Sequence, residues 1–237
     1  MFSETPELYD TIYRSFKDYA AEATQIADLL KTVVPGARTL LDVACGTGEH
    51  ARHLHVTHGY DVSGIDIEPA FVELARQKVP TGRFWQADMA DFDLGTQFDV
   101  VVCLFSSIGY LCRLDRVERA LRCFRRHLAP GAAVLVEPWF PPEAWNPGRV
   151  YVHTAESENL HVVRMSHSSV EGQISKLEFH YLIGTERGID HRVEHHELGL
   201  FTTAEMEAAF KRAGFSSVDY DPQGLTGRGL FVSRGKS

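Results

Sequence analysis

The stretch that decides the fold runs from Thr39 to His50 and reads TLLDVACGTGEH. Its apolar first half is typical of a buried parallel strand, and a helix start follows its glycines. Gly46 and Gly48 let the main chain turn where a side chain would collide with a ligand. The order of strand, glycine-rich turn and helix predicts a loop whose backbone holds an extended polar cofactor.

The next predicted strand, residues 61–66, ends in an acid. A doubly wound fold places a carboxylate such as Asp66 on the ribose hydroxyls of its cofactor. Nicotinamide and flavin sites usually carry GxGxxG, whereas the string ACGTGEH has no third glycine at the expected step. A YxxxK match from Tyr13 to Lys17 lies before the first strand, and dehydrogenase chemistry needs it after the fourth, so we interpret it as coincidence.

Composition limits the classes of function. The 237 residues suit one α/β domain with an insertion. A net charge of -8 argues against nucleic-acid binding, because phosphate contacts rely on clustered Lys and Arg. The arginines between Arg113 and Arg126 are interpreted as a solvated helix face, and this helix is expected to end at Pro130-Gly131. No apolar run is long enough for a signal peptide or a membrane span, which predicts a cytoplasmic protein without a membrane partner.

The cysteines and histidines are given no metal chemistry. The four cysteines show no CxxC pairing, so we expect reduced packing thiols. The histidines that follow Glu49 do not share one helix face, and His191 and His195 form only a pair on one strand face. Neither set gives a closed ligand geometry, and no metal site is predicted.

Strands and helices alternate through the first 140 residues. Strands are predicted at 39–43, 61–66, 83–86, 98–105 and 132–137, and helices at 4–13, 18–33, 48–56 and 69–78. Period-two stretches follow at 160–169, 174–184 and 189–200, which indicate an antiparallel sheet inserted before a final helix at 204–213 and strands at 215–220 and 229–233. The predicted fold is α/β, a doubly wound sheet built from residues 1–140 and 201–237, with 141–200 as a β insertion.

Several strings, taken in order, carry a family resemblance: Tyr9-Asp10, Lys17-Asp18-Tyr19, DVACGTG at 42–48, QADM at 86–89, FSSIG at 105–109, EPW at 137–139 and GRGLF at 227–231. The chain resembles the class I S-adenosylmethionine-dependent methyltransferases. Within them it looks like the deoxysugar N,N-dimethyltransferases, which methylate a thymidine-diphosphate-linked amino sugar. The resemblance covers nearly the whole chain and implies a seven-stranded Rossmann-like methyltransferase sheet.

The resemblance also implies a donor site. The residues that it assigns to S-adenosylmethionine are Tyr9, Lys17, Asp42, Ala44, Gly46, Gly48, Asp66, Ile67, Asp88, Met89 and Leu104. Asp88 and Met89 follow the third predicted strand, and the carboxyl end of that strand faces the ligand crevice of a doubly wound sheet. A carboxylate beside a small apolar residue there suits the amino edge and the face of an adenine ring.

On the acceptor side, the resemblance suggests Tyr13, Ser106, Trp139, Phe140, Arg149, Arg164 and Arg228. Arg164 and Arg228 suit a pyrophosphate, because guanidinium groups match phosphate oxygens. Two positions depart from the family. Val170 stands where the sugar enzymes tend to have arginine, and Tyr110 stands where some have histidine.

Methyl transfer from a sulfonium is an in-line displacement with a good leaving group, so the protein must mainly align the reactants and exclude water. An amine acceptor must lose a proton, and Tyr110, Glu137 and His180 are candidate proton acceptors. We predict proximity catalysis by a homodimer that pairs through the β insertion. The alternatives are another small amine or hydroxyl acceptor, an NAD-dependent oxidoreductase, or a non-catalytic protein that binds S-adenosylmethionine.

Overall fold

The central layer is a seven-stranded sheet, in a computed structural model that describes residues 8–235. The strands of the chain are β1 (Thr39–Val43), β2 (Asp61–Asp66), β3 (Arg83–Gln86), β4 (Phe98–Cys103), β5 (Leu128–Val136), β6 (Val150–Ser157), β7 (Leu160–Glu171), β8 (Ile174–Thr185), β9 (Gly188–Gly199), β10 (Asp219–Asp221) and β11 (Leu230–Arg234). The central sheet has the order β10-β11-β5-β4-β1-β2-β3. Strands β1 to β5 pair in parallel, while β11 is antiparallel to β5 and β10. This topology confirms the predicted Rossmann-like sheet.

Helices cover both faces of this sheet. They are α1 (Tyr9–Arg14), α2 (Tyr19–Val33), α3 (Glu49–Val56), α4 (Pro69–Lys78), α5 (Leu114–Arg126) and α6 (Thr203–Arg212). Helices α2, α3 and α4 pack on one face, and α5 and α6 pack on the other. Strand β4 contributes Val101 and Cys103 to one apolar layer and Val100 and Val102 to the other, which explains its continuous apolar sequence.

Strands β6 to β9 form a separate four-stranded antiparallel sheet, as predicted for the insertion. Its inner face packs on α1, where Phe179 and Tyr181 of β8 join Ile12 and Tyr13 in one apolar cluster. The inserted sheet therefore lies against the N-terminal helix that precedes the central sheet.

Several predicted boundaries were wrong. Strand β6 was missed, because its side chains are exposed at nearly every position and show no apolar alternation. Strand β4 ends at Cys103 rather than 105, because Phe105 and Ser106 take left-handed φ angles of 52° and 62° that cannot continue a strand. The strand predicted at 215–220 is displaced and shorter, since β10 covers only Asp219–Asp221.

The ends of two helices also need correction. The arginine-bearing helix α5 ends at Arg126, not near residue 130, because the His127 N–H closes onto Cys123 and Phe124 and β5 then runs through 130–131. Helix α1 begins at Tyr9, and the predicted helical residues 4–7 lie outside the described residues.

Arg119, Arg122 and Arg126 of α5 are exposed, as predicted for a solvated face, whereas Arg116 and Arg125 are partly buried. Arg116 forms an ion pair with Asp88, and Arg119 forms one with Asp91. Within residues 8–235, no helix is both long enough and apolar enough to cross a membrane.

Thr202 caps helix α6, and Thr203 is the first residue of the helix. The Thr202 hydroxyl accepts the Glu205 N–H at 3.1 Å, and the Glu205 carboxylate accepts the Thr202 N–H at 2.8 Å. Thr202→Ala should therefore lower the free energy of unfolding by about 1 kcal/mol in urea denaturation. Thr203→Ala is the matched control and should change it by less than about 0.5 kcal/mol. Equal losses in the two variants would contradict this assignment.

Candidate functional site

A cavity of about 300 Å³ lies at the carboxyl ends of the parallel strands and beneath the inner face of the inserted sheet. Its walls are largely aromatic and include Tyr9, Tyr13, Phe16, Phe71, Phe105, Tyr110, Trp139 and Phe179. Parallel strands bring their following loops to one edge, so residues distant in sequence meet there. The cavity has the size and apolar character of a small-molecule site.

The structure brings most of the predicted site residues to this cavity. From the predicted donor set, the lining includes Tyr9, Ala44, Gly46, Asp66, Ile67, Asp88 and Met89. From the predicted acceptor and catalytic sets, it includes Tyr13, Tyr110, Trp139, Arg164 and Arg228. The two sets share one continuous space.

The glycine-rich loop after β1 shapes one end of the cavity. Gly46 has a φ of 55°, and a Cβ built on it would come no nearer than 4.0 Å to the Tyr9 hydroxyl, so open space lies above its backbone. Gly48 has a different role. A Cβ there would lie 2.9 Å from the Cβ of Ala75, so this glycine allows α3 to pack against α4 and does not line the cavity.

Asp66 ties this loop to β2. Its carboxylate accepts the Gly46 N–H at 2.8 Å and the Glu68 N–H at 2.9 Å. Burial raises the pKa of Asp66, while these backbone N–H groups lower it. The carboxylate is thereby held at the cavity wall, next to the open space over Gly46.

A smaller pocket of about 30 Å³ adjoins the glycine-rich loop and contains Asp42 and Leu104. The Oδ2 atom of Asp42 is buried without a hydrogen-bond partner. Burial raises the pKa of Asp42 to about 8, and the charge of Asp66 adds to the effect. An orphaned buried oxygen beside an open glycine loop indicates that a polar ligand group belongs there.

Lys17 does not reach either of these pockets. Its ammonium lies 3.9 Å from the centre of the Phe105 ring and pairs with Glu22 at 2.5 Å. His50 contacts the same Glu22 oxygen at 2.8 Å. Burial lowers the pKa of Lys17. The Lys17 side chain therefore packs against the Phe105 ring without lining the cavity.

Asp88 and Met89, which follow β3, both line the cavity. Asp88 accepts the Ala90 N–H at 2.9 Å and pairs with Arg116 at 2.6 Å. Arg116 also lines the cavity, although the sequence assigned it only to the surface of α5. The ion pair fixes the orientation of the Asp88 carboxylate.

Two guanidinium groups lie in this largely apolar cavity. Arg164 is only 6% exposed, and its Nε and Nη1 atoms have no hydrogen-bond partner. Its guanidinium lies 4.9 Å from the Phe179 ring centre and 5.4 Å from that of Tyr13. Arg228 donates to the Ser106 hydroxyl at 3.2 Å and lies 4.8 Å from the Phe105 ring centre.

Neither guanidinium is neutralised by the protein. Among the described side chains, no carboxylate pairs with Arg164 or Arg228. Because burying a charge without a partner is costly, an anionic ligand would stabilise this arrangement.

Glu137 does not line the cavity, which corrects its selection as a candidate proton acceptor. It is 1% exposed, and its oxygens accept the Phe105 N–H at 2.6 Å and the hydroxyl of Thr226. Ser106 is also buried, and its hydroxyl donates to the Pro138 carbonyl at 2.6 Å. These bonds hold the left-handed turn after β4.

Three other predicted residues lie outside the cavity. His180 lies on the outer face of the inserted sheet beside His191, because Phe179 and Tyr181 take the inner face of β8. This position corrects the prediction of His180 as a candidate proton acceptor. Arg149 is exposed and contacts Tyr151. Phe140 packs on Trp139 without reaching the cavity lining.

Sequence reasoning missed part of the lining. The missed residues are Phe16, Phe71, Ala87, Phe105, Ser107, Leu111, Arg116, Leu177, Phe179 and Leu198. The period-two pattern of β8 was a usable signal for Leu177 and Phe179, because it set their face of the strand apart as apolar.

Comparisons with known proteins identify relatives over almost the full chain. Residues 40–131 match the family described as "Methyltransferase domain". The chain is 44% identical to the dTDP-3-amino-3,6-dideoxy-alpha-D-glucopyranose N,N-dimethyltransferase of Streptomyces fradiae, over 97% of this chain and 90% of that protein.

Two solved structures share the architecture. One is the crystal structure of Streptomyces venezuelae DesVI, which shares 40% sequence identity with this chain. The two superpose with a TM-score of 0.91 over 98% of each chain. The S-adenosylmethionine-bound structure of CalS10, an amino pentose methyltransferase from Micromonospora echinaspora, is 36% identical with a TM-score of 0.86 over 96% of both chains.

The full-length identity agrees with the topology and with the glycine-rich loop beside Asp66. The chain therefore belongs to the S-adenosylmethionine-dependent methyltransferases, in the family that contains the N,N-dimethyltransferases of dTDP-linked amino sugars.

Proposed function

We propose that this protein transfers methyl groups from S-adenosylmethionine to the amine of a sugar carried on thymidine diphosphate. Relatives with 44% and 42% identity bear the names of such enzymes. The observation that carries the proposal is the pair of guanidinium groups, Arg164 and Arg228, which lie without a carboxylate partner in an aromatic cavity. A diphosphate supplies the missing negative charge.

The residues around the glycine-rich loop fit S-adenosylmethionine. The open space over Gly46 admits an extended ligand, and the orphaned Asp42 oxygen offers a hydrogen-bonding group for it. Asp66 would hold the ribose hydroxyls, and Asp88 with Met89 would hold the adenine. When bound, this cofactor supplies an electrophilic methyl group on a sulfonium.

The remaining walls would position the acceptor. Arg164 and Arg228 would bind the diphosphate, and Trp139 would offer an aromatic face to the base or the sugar. Val170, one of the departures from the family, is exposed near the end of β7 and lies outside the cavity. That departure therefore leaves the proposed diphosphate contacts untouched.

The chemistry that this cavity supports is alignment with exclusion of water. The aromatic walls desolvate the reacting groups, and fixed charges orient them. Tyr13 and Tyr110 remain protonated at neutral pH, because burial raises the pKa of both phenols. They can donate hydrogen bonds to the acceptor or receive its protons, and no covalent nucleophile is needed.

Replacing the cavity arginines should weaken diphosphate binding and spare cofactor binding. Arg164→Met and Arg228→Met each remove a charge-assisted contact to the diphosphate. Each variant should therefore raise the dissociation constant of thymidine diphosphate about tenfold or more. Calorimetry with thymidine diphosphate, on protein saturated with S-adenosylhomocysteine, measures this constant.

Arg119→Met is the matched control, because Arg119 is exposed on α5 and pairs only loosely with Asp91, at 3.7 Å. It should leave both affinities unchanged. Unchanged thymidine diphosphate affinity in both cavity variants would contradict the proposed acceptor class.

We also propose that two copies pair through the outer face of the inserted sheet. Val152 and Met165 form a cross-strand pair there, beside the pair of Val163 and Leu182. All four side chains are exposed by 37–54% and form one apolar patch. A twofold interface is self-complementary, so a patch of this kind can cover its own copy.

Leu182→Lys should dissociate this dimer, because it places a charge within the apolar patch. Sedimentation velocity should show a dimer for the wild type and a monomer for the variant. Val56→Lys is the control, since Val56 is exposed on α3, outside the patch. A monomeric wild type, or a dimer that survives Leu182→Lys, would overturn the proposed interface.

A further inference from the structure

A chain of three titratable side chains leads from the cavity wall into the protein interior. The Tyr110 hydroxyl lies 3.0 Å from Nδ1 of His196. On the other side of the same ring, Nε2 of His196 lies 3.4 Å from an oxygen of Glu194, an ion-pair contact whose geometry falls short of a hydrogen bond. The side chains of His196 and Glu194 are 0% and 3% exposed, whereas Tyr110 lines the cavity.

Two elements distant in sequence build this chain. Tyr110 lies in the short 3-10 turn Ser107–Leu111, which follows the left-handed residue Ser106 and is ended by Cys112, whose φ is 58°. His196 and Glu194 are two positions apart on β9, so both side chains point to the inner face of the inserted sheet. The ring of Phe179, centred 4.9 Å from that of His196, covers the imidazole.

The neighbours of Glu194 indicate where the protons lie. Glu194 accepts a hydrogen bond from the Tyr181 hydroxyl at 3.1 Å and presents the same oxygen to His196. A carboxylate beside Nε2 favours the tautomer that carries its proton on Nε2. Nδ1 is then a lone-pair acceptor, and Tyr110 donates its hydroxyl proton to it.

We propose that Tyr110, His196 and Glu194 form a proton relay that deprotonates the acceptor amine. The proposal rests on the amine-methylating function proposed above. The ammonium N–H bond breaks and its proton moves to the Tyr110 oxygen, while the Tyr110 hydroxyl proton moves to Nδ1 of His196. The amine recovers its lone pair, and the resulting imidazolium is paired with Glu194. When product leaves, His196 returns the proton through Tyr110 to water.

The amine needs such a step because a primary alkylammonium has a pKa of about 10, so about one molecule in a thousand is neutral at pH 7. The cavity brings this pKa closer to that of an imidazole. Its apolar walls disfavour a bound ammonium, because burial penalises the charged form of the amine. A relay can then complete the proton transfer at neutral pH.

His196 is suited to accept the proton over a wide pH range. Burial lowers its pKa, Glu194 raises it, and the charge of Arg164 lowers it. Among the described residues, the titratable and charged groups that act on the relay include Glu194 on β9, Tyr181 on β8, Arg164 on β7, Tyr13 on α1 and Asp66 on β2. Because the neutral imidazole is the active form, turnover should fall only when the pH drops through this lowered pKa.

The pH profile of kcat, with both substrates saturating, tests the relay, because kcat reports groups in the bound complex. Wild-type kcat for a thymidine-diphosphate amino sugar should be flat above the His196 titration. Tyr110→Phe should be about a hundredfold slower at pH 7 and should rise with unit slope as pH increases, because only amine that is already neutral then reacts. His196→Gln should show the same slope.

Tyr151→Phe is the matched control, since Tyr151 lies on the inserted sheet but outside the cavity. Its profile should superpose on that of the wild type. A loss in Tyr110→Phe that is equal at every pH would overturn the relay in favour of a packing role. Wild-type protein that methylates no amine at any pH would instead overturn the proposed function.

Nitrogen NMR of the resting protein provides a test without turnover. The ring of His196 should be neutral, with its proton on Nε2, and Tyr110→Phe should shift only the Nδ1 resonance strongly. A proton on Nδ1 in the wild type would overturn the relay, because Tyr110 would then accept rather than donate.

Discussion

The parallel pairing of β1 with β2 and β4 is the constraint on which the site depends. It places the loops that follow these strands at one edge of the sheet, so that Gly46 can donate to Asp66 at 2.8 Å across the first two strands. The turn after β4, held by Glu137, then closes the same edge. A cofactor site and an acceptor site become contiguous because both are built on the ends of a single rigid sheet.

The inserted sheet adds charge to this apolar space. Arg164 arrives from β7 and Arg228 from the segment before β11, and each lies against aromatic rings rather than against a carboxylate. Such rings offset part of the cost of burying a cation, but they leave the charge itself unneutralised. An anionic ligand would neutralise these charges. Its binding would therefore remove the remaining electrostatic cost of burying the two guanidinium groups.

The sequence was sufficient for features whose signal is local or topological. Asp66 was found because it ends the second predicted strand, Asp88 because it follows the third, and Arg164 through the family resemblance. The alternation of β8 separated His180 from the apolar face of Phe179 and Tyr181, but the sequence could not show that the apolar face is the one that lines the cavity. Glu137 was misjudged because the sequence cannot show that both of its carboxylate oxygens accept hydrogen bonds within the protein, from the Phe105 N–H and the Thr226 hydroxyl. The pairing of Tyr110 with His196 joins residues 86 positions apart, which no local pattern records.

Alignment and proton removal are separate contributions in this account. The first comes from fixed walls and charges, and the second from a buried chain that touches the cavity only through Tyr110. The central claim is that the acceptor atom is an amine nitrogen. Mass spectrometry with fragmentation, after incubation of the protein with S-adenosylmethionine and a thymidine-diphosphate amino sugar, tests it most directly. The account predicts methyl groups on the sugar nitrogen and none on the matching sugar that carries a hydroxyl in its place; methylation of the hydroxyl sugar alone would contradict it.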